Sequence, residues 1–496
     1  MLIIMKGLLQ MKGNITVHTQ NIFPVIKKWL YSDKDIFLRE IVSNGCDAVT
    51  KLKKVKDAGA ALPTDEEYEV HVVVDKPNKT VTVSDNGIGM TENEIEKYIT
   101  QVAFSGAEDF LNKYQDKSPE NQIIGHFGLG FFSAFMVSDK VEIETLSFAE
   151  GAKSAHWSCD GGIEYEMTEG TREKRGTDVI MHIAEDDEDY LSISKIREIL
   201  DKYCSFLPVP IYCYQAGEDK GTPVNETHPL WMKSPSECTE DEYKTFYQRL
   251  FKRYDEPLFW IHLNTDYPFN LKGILYFPKI EKNQMFVADN IKEIIPEFLL
   301  MLKGVIDCPD VPLNVSRSFL QNDRTVGKIA DHIVKKIADK LTDMFKNDRE
   351  NYEKYWEDIS GFIKFGAMSD PKFYDKVKDC LIYKTTMGKY VTMADYLAGD
   401  KKEVYYATSG EYQKSYINLF SDQGIEVLLM PGLIDATFVQ FLESKFSDVK
   451  FMSIDSVTPD SFKSEETGAD AEKTKKLFAE FLPKDTEIET QSLKSK

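Results

Sequence analysis

One helical segment near the N-terminus carries two different stripes of side chains, and this pattern limits the fold most. Residues 34–54 have the period of an amphipathic helix. Its apolar stripe consists of Ile36, Phe37, Ile41, Ala48, Val49 and Leu52. A second stripe consists of hydrogen-bond acceptors at i, i+4 and i+7, namely Glu40, Asn44 and Asp47. These three side chains project from a different face of the helix. A solvated face would mix Lys or Arg with such acids, and this row of acceptors indicates a binding site instead.

The residue types in this row suit a site for magnesium and phosphate. The amide oxygen of Asn44 is a hard neutral ligand, and Mg²⁺ prefers few protein ligands together with phosphates and water. Glu40, one turn earlier, has the chemistry to orient or deprotonate a water directed at phosphorus. The alternative interpretation is a solvated polar face, and this helix alone leaves both interpretations open.

A hairpin follows and ends in a glycine-rich turn. EVHVVVD (69–75) and KTVTVSD (79–85) alternate apolar and polar residues across a Lys-Pro-Asn turn, which predicts two paired strands. The second strand runs into DNGIGM (85–90), where the glycines permit a tight turn. Asp85 at the strand end, with Gly89 behind it, can accept a hydrogen bond from an exocyclic amine. An Asp-Asn-Gly turn is common without a ligand, so this motif is weak evidence by itself.

The third motif, IIGHFGLGFFSAF at residues 123–135, is a glycine-rich loop before an apolar segment of helical character. This loop exposes backbone N–H groups near a helix N-terminus at Gly125, Gly128 and Gly130. Such an arrangement favours a phosphate-binding loop. The segment is neither GxxxxGK[ST] nor GxGxxG, so it predicts neither a P-loop nor a dinucleotide fingerprint. Alone, such a loop is usually structural.

The rest of the chain predicts a mixed α and β architecture in several domains, because 496 residues exceed what one core usually serves. In the first region we expect strands at 140–147, 154–159 and 177–183 and a helix at 192–207. In the second region we expect a strand at 274–278 and helices near 290–304, 324–347 and 351–365. From about Tyr390 the order is β-α-β-α-β, which is typical of a small parallel sheet. A further helix is expected at 470–481.

Composition excludes several classes of function. The net charge of −21 argues against nucleic-acid binding, which requires clustered Lys and Arg. The seven cysteines are scattered without metal-ligand spacing, so they indicate a reducing compartment and neither zinc nor disulfides. No apolar run approaches the roughly 18 residues of a membrane span. The first ten residues lack the features of a signal peptide, and Met11 is interpreted as the functional start.

Taken together, the three motifs and Gly176-Thr177 resemble the N-box and G-boxes of the GHKL ATPases. The phrases DIFLREIVSNGCDA, DNGIGMT and IGHFGLGFFSAFMVSDKV look like the 90-kDa heat-shock chaperone family in its bacterial form. The resemblance implies an α+β / α/β multidomain protein. Its N-terminal Bergerat (GHKL) α/β sandwich would be followed by an α/β/α middle domain.

The resemblance also implies roles for individual residues around ATP. Glu40 would be the general base, Asn44 would coordinate Mg²⁺, and Asp85 would accept the adenine amino group. Asp47 would join a water network near the base. Residues from about Ile99 to Gly125 would form a mobile lid. The remaining ATP contacts implied in this way are Gly89, Met90, Thr177, Ser105, Gly106, Gly125, Phe127, Gly128, Leu129, Gly130 and Phe131.

The segment PDVPLNVSRSFLQND (309–323) matches the family's middle-domain catalytic loop. The resemblance implies that Arg317 reaches the γ-phosphate, with Asn314 and Gln321 supporting the loop. Hydrolysis would then depend on docking of the two domains and would be slow. Trp231 and Trp260 stand in family-like phrases, and we interpret both as core residues.

Two positions depart from the family pattern. Phe104 stands where the family usually has a Lys before the lid Ser-Gly, and Tyr98 stands where an Asn often faces the nucleotide. A contact to phosphate or sugar is therefore lost or replaced, which affects nucleotide affinity and lid kinetics.

The resemblance covers about Gly13 to Leu482 and implies the domain plan. Residues 1–12 are an extension, 13–217 the ATP-binding domain, 218–228 a linker, 229–488 the middle domain and 489–496 a tail. The middle domain divides into 229–350, 351–388 and 389–488. The C-terminal dimerisation domain is absent, so the chain is interpreted as a fragment or a naturally short form.

The implied function is an ATP-dependent chaperone of non-native client proteins, cytoplasmic, without nucleic-acid or membrane partners. It would be a homodimer at full length, and this chain would be monomeric. Within the superfamily, a topoisomerase B subunit or mismatch-repair ATPase would use a transducer-domain Lys, and a sensor kinase would carry a phospho-acceptor His. From another class, an ATP-independent holdase or scaffold is the alternative that Tyr98 and Phe104 favour.

Overall fold

The structure is a computed structural model that describes residues 33–60, 67–101, 129–162, 164–279, 296–299, 302–308, 324–399, 401–457, 471–483, 486 and 488. Among these residues the chain forms two compact units, one ending at Ser234 and the other beginning at Pro235. Within the same ranges, every helix is too short or too polar to cross a membrane.

A mixed sheet forms the centre of the first unit. Its strands are β1 (Val70–Asp75), β2 (Thr80–Asp85), β3 (Ser138–Leu146), β4 (Ala155–Cys159), β5 (Glu166–Glu169), β6 (Gly176–Ile183) and β7 (Ile211–Gln215). Their spatial order is β5-β4-β3-β6-β2-β1-β7, and only the pair β1 and β7 is parallel. The predicted hairpin is confirmed as β1 and β2, in which Val70 pairs with Asp85.

The two faces of this sheet differ in chemistry, because successive side chains of a strand point to opposite faces. On one face Val72, Val83 and Val141 are fully or almost fully buried in the core of the unit. The other face carries polar, half-buried side chains such as Ser84 and Glu142. The apolar face is therefore the one on which helices pack.

The helices of the first unit are α1 (Ile36–Asp57), α2 (Glu92–Tyr98) and α3 (Ile193–Tyr203), with 3-10 helices at Gly130–Met136 and Glu185–Leu191. Helix α1 contacts β1, β2 and the 3-10 helix at Gly130–Met136. Its Phe37 and Val49 are completely buried, which confirms the predicted apolar stripe. Lys54 and Lys56 lie in its last turn, where positive charge complements the helix dipole.

The second unit combines an antiparallel sheet, a group of helices and a small parallel sheet. Its strands are β8 (Phe259–Thr265), β9 (Leu271–Phe277), β10 (Lys303–Asp307), β11 (Ile382–Lys384), β12 (Tyr390–Thr392), β13 (Glu403–Ala407), β14 (Leu428–Leu429) and β15 (Lys450–Ser453). Its helices are α4 (Glu240–Phe251), α5 (Arg324–Asn347), α6 (Arg349–Ser369), α7 (Pro371–Val377), α8 (Met393–Tyr396), α9 (Lys414–Asp422), α10 (Asp435–Lys445) and α11 (Ala471–Ala479). Strand β13 pairs in parallel with both β14 and β15, which confirms the predicted β-α-β-α-β order.

One predicted element of this unit is wrong at its C-terminal end. The helix expected near 290–304 gives way to strand β10, which begins at Lys303 and runs antiparallel to β9. A short apolar run does not distinguish strand from helix by periodicity. Pairing of Gly304 with Leu275 across the sheet decides the outcome here.

Candidate functional site

Helix α1 presents the three predicted acceptors along one face, but their surroundings differ. Glu40 and Asp47 are buried, whereas Asn44 between them is exposed. An exposed amide between two buried carboxylates indicates that this face is open only at its middle. A ligand that enters there meets Asn44 first.

Two cations accompany this row, contrary to the expectation that the acceptors stand without them. Arg39 donates to Glu40 Oε1 from Nη2 at 2.6 Å and from Nε at 3.1 Å. Burial lowers the pKa of Lys51, while Asp47, one turn away, and Glu94 act in the opposite direction. The spacing argument missed both cations because long side chains reach across adjacent helical positions.

The second oxygen of Glu40 lies against the glycine-rich segment. A Cβ placed on Gly130 would come within 2.6 Å of Glu40 Oε2, so any side chain at this position would require the carboxylate to shift. Leu129 is half-buried before it, and Phe131 is buried after it, with its ring 5.6 Å from that of Trp157. The structure thus brings Glu40 against Gly130, which Leu129 and Phe131 flank in the chain.

Asp85 ends β2 with its side chain beneath α1. It is 7% exposed, and its Oδ1 accepts a hydrogen bond from the Gly87 N–H at 2.8 Å. Burial raises the pKa of this carboxyl to about 7, although the Gly87 N–H, the Arg172 guanidinium and the Thr177 N–H favour the ionised form. An ionisable group with such a pKa changes its charge near neutral pH.

The turn after Asp85 is attached directly to the backbone of α1. The Ile88 N–H donates to Ala48 O at 3.0 Å, and a Cβ on Gly87 would lie 2.4 Å from the Ala48 carbonyl carbon. A Cβ on Gly45 would lie 3.5 Å from the Asp85 Cβ. The helix motif and the turn motif, 38 or more residues apart in sequence, therefore form one site.

A threonine that sequence reasoning missed connects the other predicted residues of the pocket. Thr145 Oγ1 accepts from the Met90 N–H at 3.0 Å, donates to Gly176 O at 3.0 Å, and lies 2.9 Å from Thr177 Oγ1. Thr177 pairs with Asp85 between β6 and β2. The available signal was a threonine at an inward position of β3, where Val141 and Ile143 fill the neighbouring inward positions.

Gly89 fits the same pocket for a steric reason. Its φ of +61° lies in the left-handed region, and a Cβ there would lie 1.9 Å from Leu146 O. Any side chain at this position would therefore displace β3 from the turn.

The remaining predicted site residues, among them the catalytic-loop arginine and much of the lid, lie outside the described residues. They are Ser105, Gly106, Gly125, Phe127, Gly128, Asn314, Arg317 and Gln321, together with Phe104. Tyr98 is described; it ends α2, is half-buried, and has Lys97 Nζ 5.1 Å from its ring centroid.

The donor set fits a magnesium ion held mainly by phosphate. Within the described ranges, no three His, Cys, Asp or Glu side chains are grouped to hold a metal ion by themselves. Mg²⁺ needs only one or two protein oxygens when phosphates and water supply the rest. The exposed amide of Asn44 on the open face of α1 can be that ligand.

Two family models match the chain. Residues 33–169 match the model described as histidine kinase-, DNA gyrase B-, and HSP90-like ATPase, and residues 214–495 match the model described as Hsp90 protein. The chaperone protein HtpG of Porphyromonas gingivalis is 45% identical, over 96% of this chain and 75% of the relative. The corresponding protein of Bacteroides fragilis is 46% identical, over 91% and 70%. That of Francisella tularensis subsp. holarctica is 34% identical, over 86% and 74%.

These matches confirm the family and the fold class that the motifs predicted. The first model covers the segment that contains Glu40, Asn44, Asp47 and Asp85, and the second covers more than half of the chain. The chain therefore belongs to the Hsp90 family, with a histidine kinase-, gyrase B- and HSP90-like ATPase domain in its first unit.

Proposed function

We propose that this chain is an ATP-dependent chaperone that binds Mg-ATP in the first unit and hydrolyses it slowly. The observation that carries the proposal is the position of Asp85, a buried carboxylate packed against α1 at Gly45. Hydrolysis would be coupled to lid closure, to docking of the ATP-binding and middle domains, and to the folding of non-native client proteins. The client role follows the relatives, which are named as chaperones.

Asp85 is suited to recognise the adenine amine. Its burial makes an uncompensated negative charge costly, so an N–H donor from a ligand stabilises the ionised form more than it would in water. Thr177 and Met90 are joined to each other through Thr145 beside it, which gives the base a fixed polar wall. Gly89 and Asp47 would complete the base pocket, with water filling the space between them and the base.

The phosphates would lie along the open face of α1 toward the glycine-rich segment. Asn44 would hold Mg²⁺ together with phosphate oxygens, and the ion would neutralise phosphate charge. Glu40 would orient and deprotonate the attacking water, since Arg39 holds its Oε1 and its Oε2 faces Gly130. The roles assigned to Arg317, Asn314 and Gln321, the domain plan and a cytoplasmic location stay predictions.

The test is calorimetric titration of Mg-ATP into the chain, followed by measurement of phosphate release. We expect Asp85→Asn to bind at least about tenfold more weakly, because a charge-assisted hydrogen bond is lost. We expect Glu40→Ala to bind like the unmodified chain and to lose roughly a hundredfold or more in turnover, because the base is gone.

Matched controls change carboxylates of the first unit that lie away from the pocket. Asp75→Asn changes a carboxylate at the end of β1 on the opposite face of the sheet, and Glu185→Ala removes an exposed one. Both should leave binding and turnover unchanged. If the unmodified chain does not bind, or if Asp85→Asn binds as tightly, the pocket assignment is wrong and an ATP-independent holdase or scaffold is the better interpretation.

A further inference from the structure

Three successive carbonyl oxygens in the turn after β2 accept hydrogen bonds from two arginines. Arg172 Nη2 donates to Asp85 O at 2.8 Å. Arg175 donates from Nε to Gly87 O at 3.0 Å and from Nη2 to Asn86 O at 3.1 Å. Charged donors make hydrogen bonds about twice as strong as neutral ones. This turn is therefore held more firmly than a solvent-exposed Asp-Asn-Gly turn.

Arg172 is itself fixed by contacts within the first unit. Its Nε donates to Lys174 O at 2.9 Å, and its Nη1 pairs with the Asp178 carboxylate, which also accepts from the Ser84 hydroxyl. Its own backbone N–H donates to Ser154 Oγ at 3.1 Å. Because all three guanidinium nitrogens are engaged, the side chain is restricted to one position over the turn.

Close approach between the arginine-bearing segment and the turn requires a glycine. Gly176 has φ +123°, and a Cβ at this position would lie 2.0 Å from Asp85 O and 2.8 Å from the Asn86 Cα. The segment from Arg172 to Gly176 therefore lies directly against the backbone that carries the Asp85 side chain.

We propose that Arg172 and Arg175 are positioning residues of the nucleotide site, holding the Asp85–Gly87 turn so that Asp85 presents its carboxylate to the adenine amine. Neither side chain is assigned a contact with nucleotide. The inference rests on the role proposed above for Asp85. It adds that the base pocket is set by a segment 87 residues further along the chain.

The two arginines differ in their effect on the charge of Asp85. Burial raises the pKa of Asp85, Arg172 opposes this rise and Asp178 adds to it. On the helix side, Cys46 lies within electrostatic range of both Asp85 and Asp47. Removing the Arg172 guanidinium leaves the effects of burial and Asp178 less opposed, so the Asp85 pKa rises further. Arg175 donates to the carbonyl oxygens of Asn86 and Gly87 in this turn.

These differences give each arginine its own signature in a pH profile. An ionised carboxylate is the stronger acceptor for an amine, so nucleotide affinity should fall as the pH drops through about 7. Arg172→Gln should move this midpoint upward by about one pH unit. This shift alone would weaken binding about fivefold at pH 7 and hardly at all at pH 9. Loss of the hydrogen bond to Asp85 O should add a weakening of about threefold to tenfold that remains at pH 9. Arg175→Gln should weaken binding about threefold to tenfold at every pH, without moving the midpoint.

The experiment is calorimetric titration of ADP with saturating Mg²⁺ from pH 5.5 to pH 9, on the full chain and each variant. The nucleotide phosphate also titrates in this range, but the same ligand is used throughout, so its protonation cancels in the ratio of affinities. Lys174→Gln is the matched control, because it removes one exposed positive charge from the same segment. Its profile should coincide with that of the unmodified chain. Thermal unfolding of each variant reports whether the fold is kept.

Arg172→Lys keeps the charge and separates it from the geometry of the guanidinium. We expect its midpoint to stay where the unmodified chain has it, while binding weakens about threefold or more at every pH because the guanidinium contacts are lost. If Arg172→Gln does not fold, normal affinity of Arg172→Lys at every pH would contradict the positioning role. Profiles of Arg172→Gln and Arg175→Gln that coincide with the unmodified chain would overturn this inference alone, provided that Asp85→Asn weakens binding as expected above. If Asp85→Asn binds normally, the proposed function fails as well.

Discussion

Two aspartates, one in each unit, are buried to a similar degree but are compensated differently. Asp435 at the start of α10 is 3% exposed; its Oδ1 accepts from Lys364 Nζ of α6 at 2.5 Å and its Oδ2 from the Gly432 N–H at 2.8 Å. Asp85 is 7% exposed, and among the described residues no Lys, Arg or His side chain forms an ion pair with its carboxylate. The Arg172 guanidinium contacts the main-chain oxygen of Asp85 instead.

The difference separates a structural carboxylate from one that can receive a ligand. A buried charge is costly unless it is paired. Lys364 neutralises Asp435 and joins α6 to α10, so this site is complete within the second unit. Asp85 has backbone donors but no cation on its carboxylate, and its pKa of about 7 reports the remaining deficit. A donor supplied by a ligand reduces that deficit, and the folded chain alone does not.

The largest loss of stability should follow when the Lys364–Asp435 ion pair is broken. Lys364→Met leaves Asp435 buried without its cation, and loss of one partner of a buried pair costs roughly 3–5 kcal/mol. We expect this loss in the free energy of unfolding from urea denaturation. Hydrogen exchange should become faster in α6 and α10.

The control for this change is an exposed pair in the same unit. Lys372 Nζ lies 3.3 Å from Asp331 Oδ2 with both side chains mostly in solvent, so Lys372→Met should cost less than about 1 kcal/mol. The double change Lys364→Met with Asp435→Leu should recover part of the stability, since no buried charge remains. Equal effects of Lys364→Met and Lys372→Met would contradict the comparison.

Replacing Asp85 should stabilise the chain above neutral pH when nucleotide is absent, whereas breaking the Asp435 pair destabilises it. Its pKa is about 7 when folded and about 3.9 when unfolded, so the folded state binds the extra proton between these values. Stability from this group is complete below about pH 3.9 and is lost as the pH rises to about 7. In Asp85→Asn this group no longer titrates, so its contribution to the decrease in stability with rising pH disappears.

The measurement is thermal or urea unfolding of Asp85→Asn and the unmodified chain at pH 5 and pH 8. We expect the stability difference to move in favour of Asp85→Asn by about 2 kcal/mol over this interval. Asp75→Asn, on the open face of the sheet, should show no such trend. A constant difference at both pH values would mean that Asp85 is ionised at little cost, and the contrast with Asp435 would fail.

Elements defined by local pattern were predictable from the sequence. The stripes of α1, the alternation of β1 and β2, and the β13–β15 order each follow from a period of 3.6 or 2 within one segment. Trp231 is buried, as expected for a core residue, whereas Trp260, also interpreted as core, is half-buried and stacks on Tyr243. Strand β10 was not predicted, because pairing with β9 rather than a pattern in its own residues determines that it is a strand.

The site was predictable as a set of motifs but not as a set of contacts. Glu40, Asn44, Asp47 and Asp85 belong to recognisable motifs, and the fold brings their elements together. Thr145, Arg172 and Arg175 were missed, because each acts on residues 31 to 89 positions away. Periodicity carries no information about such distances, and only the register of β2, β3 and β6 shows which side chains meet.

The charge of the Glu40 carboxylate is partly compensated, less than that of Asp435 and more than that of Asp85. One of its oxygens accepts from Arg39, and the other faces the backbone at Gly130. Gly130→Ala would place a methyl group 2.6 Å from Oε2, and Arg39 restricts the carboxylate from moving away. We expect turnover to fall about tenfold, because a shift of a fraction of an ångström misaligns a catalytic group. ADP affinity and stability should change little.

Gly162→Ala, with no atom within 4 Å of its Cβ, is the control. Unchanged turnover in Gly130→Ala would show that Glu40 tolerates displacement, as a purely structural carboxylate does.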